Sequence, residues 1–428
     1  MINYSGAKIS ISSSKLRSLV EETLSSRLDA LRRALILPPD HTRLNSQAGP
    51  ITAMAYDIMT KAGVKVDVMP TLGTHNAMTE KQLRMMFGDS IPLEAFKIHD
   101  WRGGIVRKGE LPGEFLSELS GGKVSYSVGV EVSKRLYDGY DLILSVGQVV
   151  PHEVVGMANY TKNIVVGAGG ADIINKSHFL GAVCNMETIL GRADTPVRRL
   201  FNTAVDRFLS DLPILYVQTV VEQDYNTREM CLRGYFASED AFAYEAAAKL
   251  AREVNVILLD REPKKVVVYL DPHEFQSTWL GNKSIYRTRM AIADRGELIV
   301  LAPALNEFGE DPQIDKLIRK YGYRGTPATL KAVEKNEDLR ANLGAAAHLI
   351  HGSSEGRFDI TYCPGKGGVS LDDVRSVGFN AAPYDETTKR YDPDKLRDGF
   401  NTMPDGEEIF YISNPALGLW AYRGKFND

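Results

Sequence analysis

A chain of 428 residues is longer than one ordinary hydrophobic core supports, so two or three domains are expected. Hydrophobic residues make up 43% and charged residues 25%, the balance of a folded soluble protein and not of a disordered or fibrous one. Lys and Arg number 51 against 55 Asp and Glu, a formal charge of -4 with no basic surplus for a phosphate backbone, so no nucleic-acid partner is expected. Met1 to Val20 mix Ser, Lys and Arg without the apolar run of a signal peptide. The longest apolar stretches, Ile164 to Ala171 and Leu298 to Ala304, fall well short of the roughly 20 residues that cross a bilayer. Cys184, Cys231 and Cys363 are odd in number and far apart, which argues against disulfides and against a zinc site. A cytoplasmic protein without membrane contact is expected.

In chain order, Ala34 to Leu37 reads as a buried strand ending in Pro38-Pro39-Asp40, followed by a helix over Ile51 to Lys61. Val64 to Pro70 reads as a strand stopping before Gly73-Thr74-His75, with a helix over Glu80 to Met86. Leu142 to Val146 and Ile164 to Val166 read as two more strands, the first followed by Gly147 and the second by Gly167 and Gly169-Gly170, before a helix over Thr195 to Leu209. A second series starts at Val256 to Leu259, turns at Asp260 to Pro263 and resumes at Val266 to Leu270. Helical sequence over Ser284 to Asp294 and strands at Leu298 to Leu301, Phe358 to Tyr362 and Glu408 to Ile412 follow. Strands alternating with helices predict two α/β domains with largely parallel sheets and an active site in the cleft between them. The expected division is 1–260 for an N-terminal cofactor-binding and catalytic domain and 261–404 for a C-terminal α/β domain, with 405–428 returning to the first.

In such sheets the ligand sits beyond the carboxyl ends of the strands. The residues found there are Asp40, Thr42 and Arg43, then Gly73, Thr74 and His75, then His99 and Asp100, then His152, Lys162 and His178. A lone histidine is more often a satisfied core or surface residue than a catalyst. His152, Lys162 and His178, however, lie within 27 residues of small and Gly-rich sequence that lets backbone approach a ligand. Arg43 can grip a carboxylate in a bidentate fork with Asp40 orienting it, although a capping Asp beside a surface Arg has the same pattern. Gly73-Thr74-His75 before a helix would offer N–H groups to an anion. No GxGxxG, Walker loop, HExxH or GxSxG can be written, so the common dinucleotide, kinase, zincin and serine-hydrolase readings lack support.

The segment HEVVGMANYTKNIVVGAGGADIINKSH, His152 to His178, resembles the core motif of the nickel-pincer lactate racemase family, in which a His, a Lys ten residues on and a His sixteen further are functional. Asp40-x-Thr42-Arg43, Gly73-Thr74-His75 and His99-Asp100 resemble the upstream motifs in the same order, and the similarity extends to Ser284-Ile285-Tyr286. The resemblance implies a nickel-pincer nucleotide (pyridinium-3-thioamide-5-thiocarboxylic acid mononucleotide nickel) attached covalently at Lys162, with His178 ligating the nickel. It also implies acid/base roles for His99 and His152, cofactor contacts from Gly73, Thr74 and His75, and substrate contacts from Asp40, Arg43 and Tyr286. Two stretches depart from the family: Asn159-Tyr160-Thr161 stands where Gly-Gly-Arg is usual, and Tyr286-Arg287-Thr288-Arg289-Met290 replaces Tyr-Gln-x-x-Lys.

The implied activity is a racemase or epimerase inverting C2 of a 2-hydroxy acid. Removing that hydrogen as hydride to an electron-poor ring is easier than deprotonating a poorly acidic carbon. Imidazoles, with an ordinary pKa of about 6.5, suit the reversible proton transfer that accompanies it. With Met290 in place of the family's lysine, Arg287 or Arg289 is expected to bind substrate, favouring a sugar acid such as gluconate or a hydroxydicarboxylate such as malate over lactate. The expected partners are that small-molecule acid and cofactor-biosynthesis proteins. The alternatives are lactate racemase proper, an enzyme with a pyridoxal-phosphate-type lysine at Lys162, and a non-catalytic nucleotide-binding module.

Overall fold

The computed structural model describes residues 1–224, 229–416 and 418–426. The chain forms two compact α/β units, Met1–Leu180 with Ile189–Asn255, and Gly181–Thr188 with Val256–Asp428.

The first unit is built on a six-stranded sheet of β1 (Ile2–Ser5), β2 (Arg33–Leu37), β3 (Lys65–Val68), β6 (Leu142–Gln148), β9 (Ile214–Gln223) and β10 (Met230–Ser238), in the order β1-β10-β9-β6-β2-β3. The strands from β9 to β3 are parallel, and β10 and β1 add antiparallel at one edge. Ala34, Leu35, Ile36 and Leu37 of β2 are wholly buried, as a parallel strand covered on both faces requires. Leu19, Val20 and Leu24 of the helix Ser13–Ser25, and Ile51, Ala55 and Met59 of the helix Ala48–Lys61, belong to the same buried cluster as Ala34, Ile36, Val66, Val68 and Leu144 of the sheet. Two small ribbons complete the unit: β4 (Ile105–Leu111) with β5 (Val128–Ser133), and β7 (Pro151–His152) with β8 (Gly156–Met157). The chain passes from β2 outward to β3, then returns to β6 on the other flank of β2. The sheet therefore has its topological switch point between β2 and β6.

The second unit carries a sheet in the order β15-β14-β13-β12-β17-β16, parallel except for β16, and a parallel pair β11-β18. Here β11 is Val256–Leu259, β12 Lys265–Tyr269, β13 Glu297–Ala302, β14 Asp359–Pro364, β15 Asn380–Ala381, β16 Gly399–Thr402, β17 Glu408–Ile412 and β18 Leu419–Tyr422. The expected return of 405–428 to the first unit does not occur, because β17 pairs with β12 and β18 with β11. The first unit also closes at Asn255, a few residues before the predicted boundary.

Two predicted elements differ. Ile164 to Val166 is not a strand but part of a wide helical turn, Asn163–Gly167, in which the Ala168 N–H donates to the Asn163 carbonyl at 3.0 Å. A short apolar run fits either a buried strand or a buried helical turn, and periodicity alone does not separate them. The helical reading of Ser284 to Asp294 shrinks to one turn, Lys283–Tyr286.

Candidate functional site

Lys162 stands at the start of that wide turn, and the side chain next to it explains why the turn lies where it does. Asn163 is buried, and its amide donates to the Leu37 carbonyl at the end of β2 (3.0 Å) and to Ser145 Oγ on β6 (2.9 Å). Its Oδ1 accepts from Thr71 Oγ1 at 2.7 Å, and Thr71 itself follows β3. One side chain thus spans the switch point and ties three strand ends to the residue after Lys162. The approach to the lysine is strained, since Asn159 and Tyr160 have φ of 63° and 58°, a region that bulky side chains rarely adopt. Tyr160 is held by its ring against Tyr216 (4.5 Å between centroids) and Tyr244 (5.2 Å), and Asn159 by a 2.8 Å bond from Nδ2 to Gln218 Oε1. Arg198, 2% exposed, clamps the same segment by donating to the Met157 carbonyl (2.6 Å) and Thr161 Oγ1 (2.9 Å).

The ammonium of Lys162 has no hydrogen bond or ion pair among the described residues. Loss of water first, then the nearby Arg43 cation, lower its pKa to about 8 against the pull of Glu153 and Asp40. About a tenth of the amine is therefore neutral and nucleophilic at pH 7. His178 is brought to about 4 by loss of water and then by the charge of Lys162. Its Nδ1–H donates to the Ile174 carbonyl at 2.6 Å, which leaves the lone pair on Nε2, the tautomer of a metal ligand with a backbone orienter. His152 lies well below its ordinary value through burial, opposed by Glu153 and reinforced by Lys162, Arg43 and His178. Its Nδ1 accepts from the Val154 N–H at 3.1 Å, so the neutral ring carries its proton on Nε2. These four cationic or imidazole groups feel one another's charge, so the sequence cluster is also a cluster in space.

Asp40 caps the turn His41–Ser46, accepting from the Thr42 N–H (3.1 Å) and Thr42 Oγ1 (2.5 Å), and His75 Nδ1 lies 2.6 Å from its other oxygen. Burial works against the carboxylate, but His75, Thr42 and Arg43 outweigh it and hold the group at about 2. An ionised Asp40 fixes the proton of His75 on Nδ1 and so leaves the ring's lone pair on Nε2, the tautomer of a carboxylate-oriented acid/base histidine. The His75 side chain is 39% exposed. Arg43 makes one long bond, 3.5 Å to the Thr42 carbonyl. Gly73, Thr74 and His75 do not open a helix: the next one begins at Glu80, the Gly73 N–H is taken by the Gly167 carbonyl and that of His75 by Leu72. Two of the three N–H groups expected to meet an anion are therefore already taken, and Gly73 ties its loop to the lysine turn.

His99, expected as an acid/base group, sits elsewhere in the arrangement. It is 2% exposed, its Nε2 donates to the Gly169 carbonyl at 3.0 Å, and its Nδ1 is buried with no partner. Burial lowers its pKa, and the charge bearing on it is that of Asp100 on its own loop. Its Nε2 is thus occupied by backbone, and its Nδ1 is left without a hydrogen-bond partner among the described residues.

In the second unit Tyr286, Arg287 and Arg289 are all buried. Arg287 donates to the Gly418 carbonyl, and Arg289 pairs with Glu187 at 3.0 Å and donates to the Ser353 carbonyl. Both guanidinium groups serve packing inside that unit, a role their spacing could not reveal. Sequence reasoning also missed Glu153, Asn163 and Arg198. Glu153 and Asn163 adjoin residues already singled out, but Asn163 reaches the Leu37 carbonyl 126 residues away and Arg198 reaches Thr161 37 residues away, which sequence neighbours do not reveal.

Among the described residues no three His, Cys, Asp or Glu gather as a metal site. A metal carried by an organic group and completed by one imidazole does fit, because His178 presents one oriented nitrogen and Lys162 one unpaired amine.

Residues 8–189 match the family model of the lactate racemase N-terminal domain. A crystal structure of a protein from Thermotoga maritima is similar at TM-score 0.83 and 21% identity, over 98% of this chain and 100% of that one. The lactate racemase apoprotein from Thermoanaerobacterium thermosaccharolyticum is similar at TM-score 0.70 and 15% identity, over 96% and 93%. No curated protein matches. The fold is that of these proteins, and residues 8–189 are similar to the lactate racemase N-terminal domain.

Proposed function

We propose that this protein is an isomerase that inverts C2 of a 2-hydroxy acid, with a nickel-pincer nucleotide joined to Lys162 and its nickel completed by His178. The observation that carries the reading is Lys162 itself, an unpaired amine held near pKa 8 at the switch point of a parallel sheet, beside an imidazole whose Nε2 lone pair is set by the Ile174 carbonyl. The cofactor, when bound, supplies a reversible two-electron acceptor.

The chain's own residues do the rest. Arg43 takes the substrate carboxylate, since no carboxylate forms an ion pair with it among the described residues. The two acid/base groups are His75, oriented by Asp40, and His152, oriented by the Val154 N–H. His75 receives the hydroxyl proton at Nε2 while His152 donates from Nε2, and inversion in the other direction requires these roles to exchange. His75 is preferred to His99 in this reading because the Nε2 of His99 is taken by the Gly169 carbonyl and its ring is buried, whereas His75 is partly open and oriented by Asp40. Arg287 and Arg289 do not supply the extra cations that would favour a larger acid, so lactate stands on equal terms with malate and gluconate.

The test is production of the protein together with cofactor-assembly proteins, followed by metal analysis and chiral chromatography of enantiopure lactate, malate and gluconate. The reading predicts about one nickel per chain and inversion of at least one acid. Nickel-loaded protein that inverts none of them would overturn it.

A further inference from the structure

Before any cofactor is attached, the amine of Lys162 makes no hydrogen bond or ion pair among the described residues, and its side chain is partly open to solvent. Near it stands a second cation without a counter-ion: Arg43 makes one long bond, to the Thr42 carbonyl, and no ion pair among the described residues. Of the charges that bear on Lys162, that of Arg43 bears most strongly, and both groups also act on His152. Two neighbouring cations favour a neutral amine on one of them and an anion beside the other. The neutral His152 ring adds an Nε2–H, because its Nδ1 accepts from the Val154 N–H at 3.1 Å.

These three groups ask for three things: an electrophilic carbon for the amine, a carboxylate for the guanidinium, and an oxygen that gains negative charge for the imidazole N–H. A simple ketone meets the first and third, and a simple carboxylate only the second. A 2-oxo acid carries all three on adjacent atoms, and it is the oxidised form of the 2-hydroxy acid assigned above as substrate. We propose that the cofactor-free chain has a further activity: it binds 2-oxo acids covalently, as an imine between C2 and the nitrogen of Lys162, with Arg43 holding the carboxylate.

The step balances without a co-reactant. The neutral amine adds to C2, and the C2 oxygen takes the negative charge beside His152 Nε2–H. Both amine protons pass to that oxygen, which leaves as water while a C2–N double bond replaces the C2–O double bond. Nothing is oxidised or reduced, and water reverses the reaction. One nitrogen cannot carry an imine and a cofactor together, so 2-oxo acid and cofactor exclude each other at Lys162. That consequence and the choice of a 2-oxo acid rest on the proposed function, whereas the imine itself rests on the cluster.

The experiment uses the full chain, produced in a host without cofactor-assembly proteins. It is incubated with pyruvate, or with acetone as a methyl ketone lacking the carboxylate, and sodium cyanoborohydride fixes imines as stable amines. Peptide mass spectrometry compares Lys162 with the exposed Lys331 in each sample. Dividing the Lys162-to-Lys331 ratio for pyruvate by that for acetone cancels the reactivity of each ketone and the neutral share of the amine, so it reads the carboxylate contact alone. A charge-assisted contact predicts a quotient of about tenfold or more in the unaltered chain, falling to within about twofold of unity in Arg43→Gln. A quotient near unity in the unaltered chain, pyruvate adducts no more frequent at Lys162 than at Lys331, or an Arg43→Gln chain as selective as the unaltered one would overturn the proposal. Should the variant not fold, the quotient of the unaltered chain decides alone. Selective imine formation in a chain that inverts no acid once nickel-loaded contradicts only the proposed function, and inversion without any imine contradicts only this proposal.

Discussion

Asp40→Asn is the substitution that separates orientation from packing in the proposed site. A carboxyl displaced from 3.8 to about 2 is favoured as the anion by roughly 2 kcal/mol, the balance left after burial has been overcome. Asparagine keeps an Oδ1 able to accept from Thr42 N–H and Oγ1, so the cap of the His41–Ser46 turn survives. What changes is the atom facing His75 at 2.6 Å, which becomes an N–H donor and forces His75 to accept at Nδ1. The proton then moves to Nε2, and the ring loses the lone pair that takes the substrate hydroxyl proton. A wrong tautomer of this kind has cost about 10⁴ in kcat in a carboxylate–histidine pair elsewhere, and a loss of about 10² to 10⁴ in kcat/KM is expected here. Stability should fall by no more than about 2 kcal/mol, since His75 is open enough to solvent for part of the interaction to be screened. The assay is chiral chromatography on cofactor-loaded protein, with thermal unfolding of the same sample. Activity within threefold of the unaltered chain, with His75 shown by nitrogen NMR to have switched tautomer, would refute the assignment.

Lys162→Ala should abolish covalent cofactor attachment in intact-mass spectra, and an adduct surviving in the mutant would move the attachment site. His178→Ala should lose nickel while keeping the organic adduct, because one missing ligand weakens metal binding without touching the lysine bond; unchanged nickel occupancy would contradict the ligand role. The pH dependence of stability has a fixed sign. His99, His152 and His178 all have native pKa values below the ordinary 6.5, with His178 at about 4, so the unfolded chain binds more protons as pH falls below about 6.5. Stability should therefore drop between about pH 6.5 and 4, and Asp40, depressed from 3.8 to about 2, adds a loss below that range. Urea midpoints measured across this interval would show it, and a flat or rising profile would contradict the burial of these rings.

Much of the site was legible because its residues follow strands. Continuous apolar runs such as Ala34 to Leu37 mark parallel strands, and the polar residues after them mark the ligand end of the sheet. The spacing from His152 to Lys162 to His178 survives as a real cluster because a hairpin, a wide turn and a helix carry all three. Burial direction was not legible. His99 follows a β-ribbon-free loop with the same polar signature as His75, yet one ring closes on a backbone carbonyl and the other on a carboxylate. Arg287 and Arg289 likewise read as spare cations because Glu187 and Gly418 are far away in sequence. The pairing of β17 with β12, which keeps the C-terminal strands in the second unit, is a long-range register that local pattern does not encode.

The central claim is that C2 inverts by departure and return of its own hydrogen while His75 and His152 exchange only the hydroxyl proton with solvent. The most direct measurement is inversion of an enantiopure 2-hydroxy acid by cofactor-loaded protein in deuterium oxide, with the product examined by chiral chromatography and mass spectrometry. The account predicts the opposite enantiomer with hydrogen retained at C2. Deuterium at C2 of the inverted product would mean that a histidine removes that hydrogen as a proton, and would contradict it.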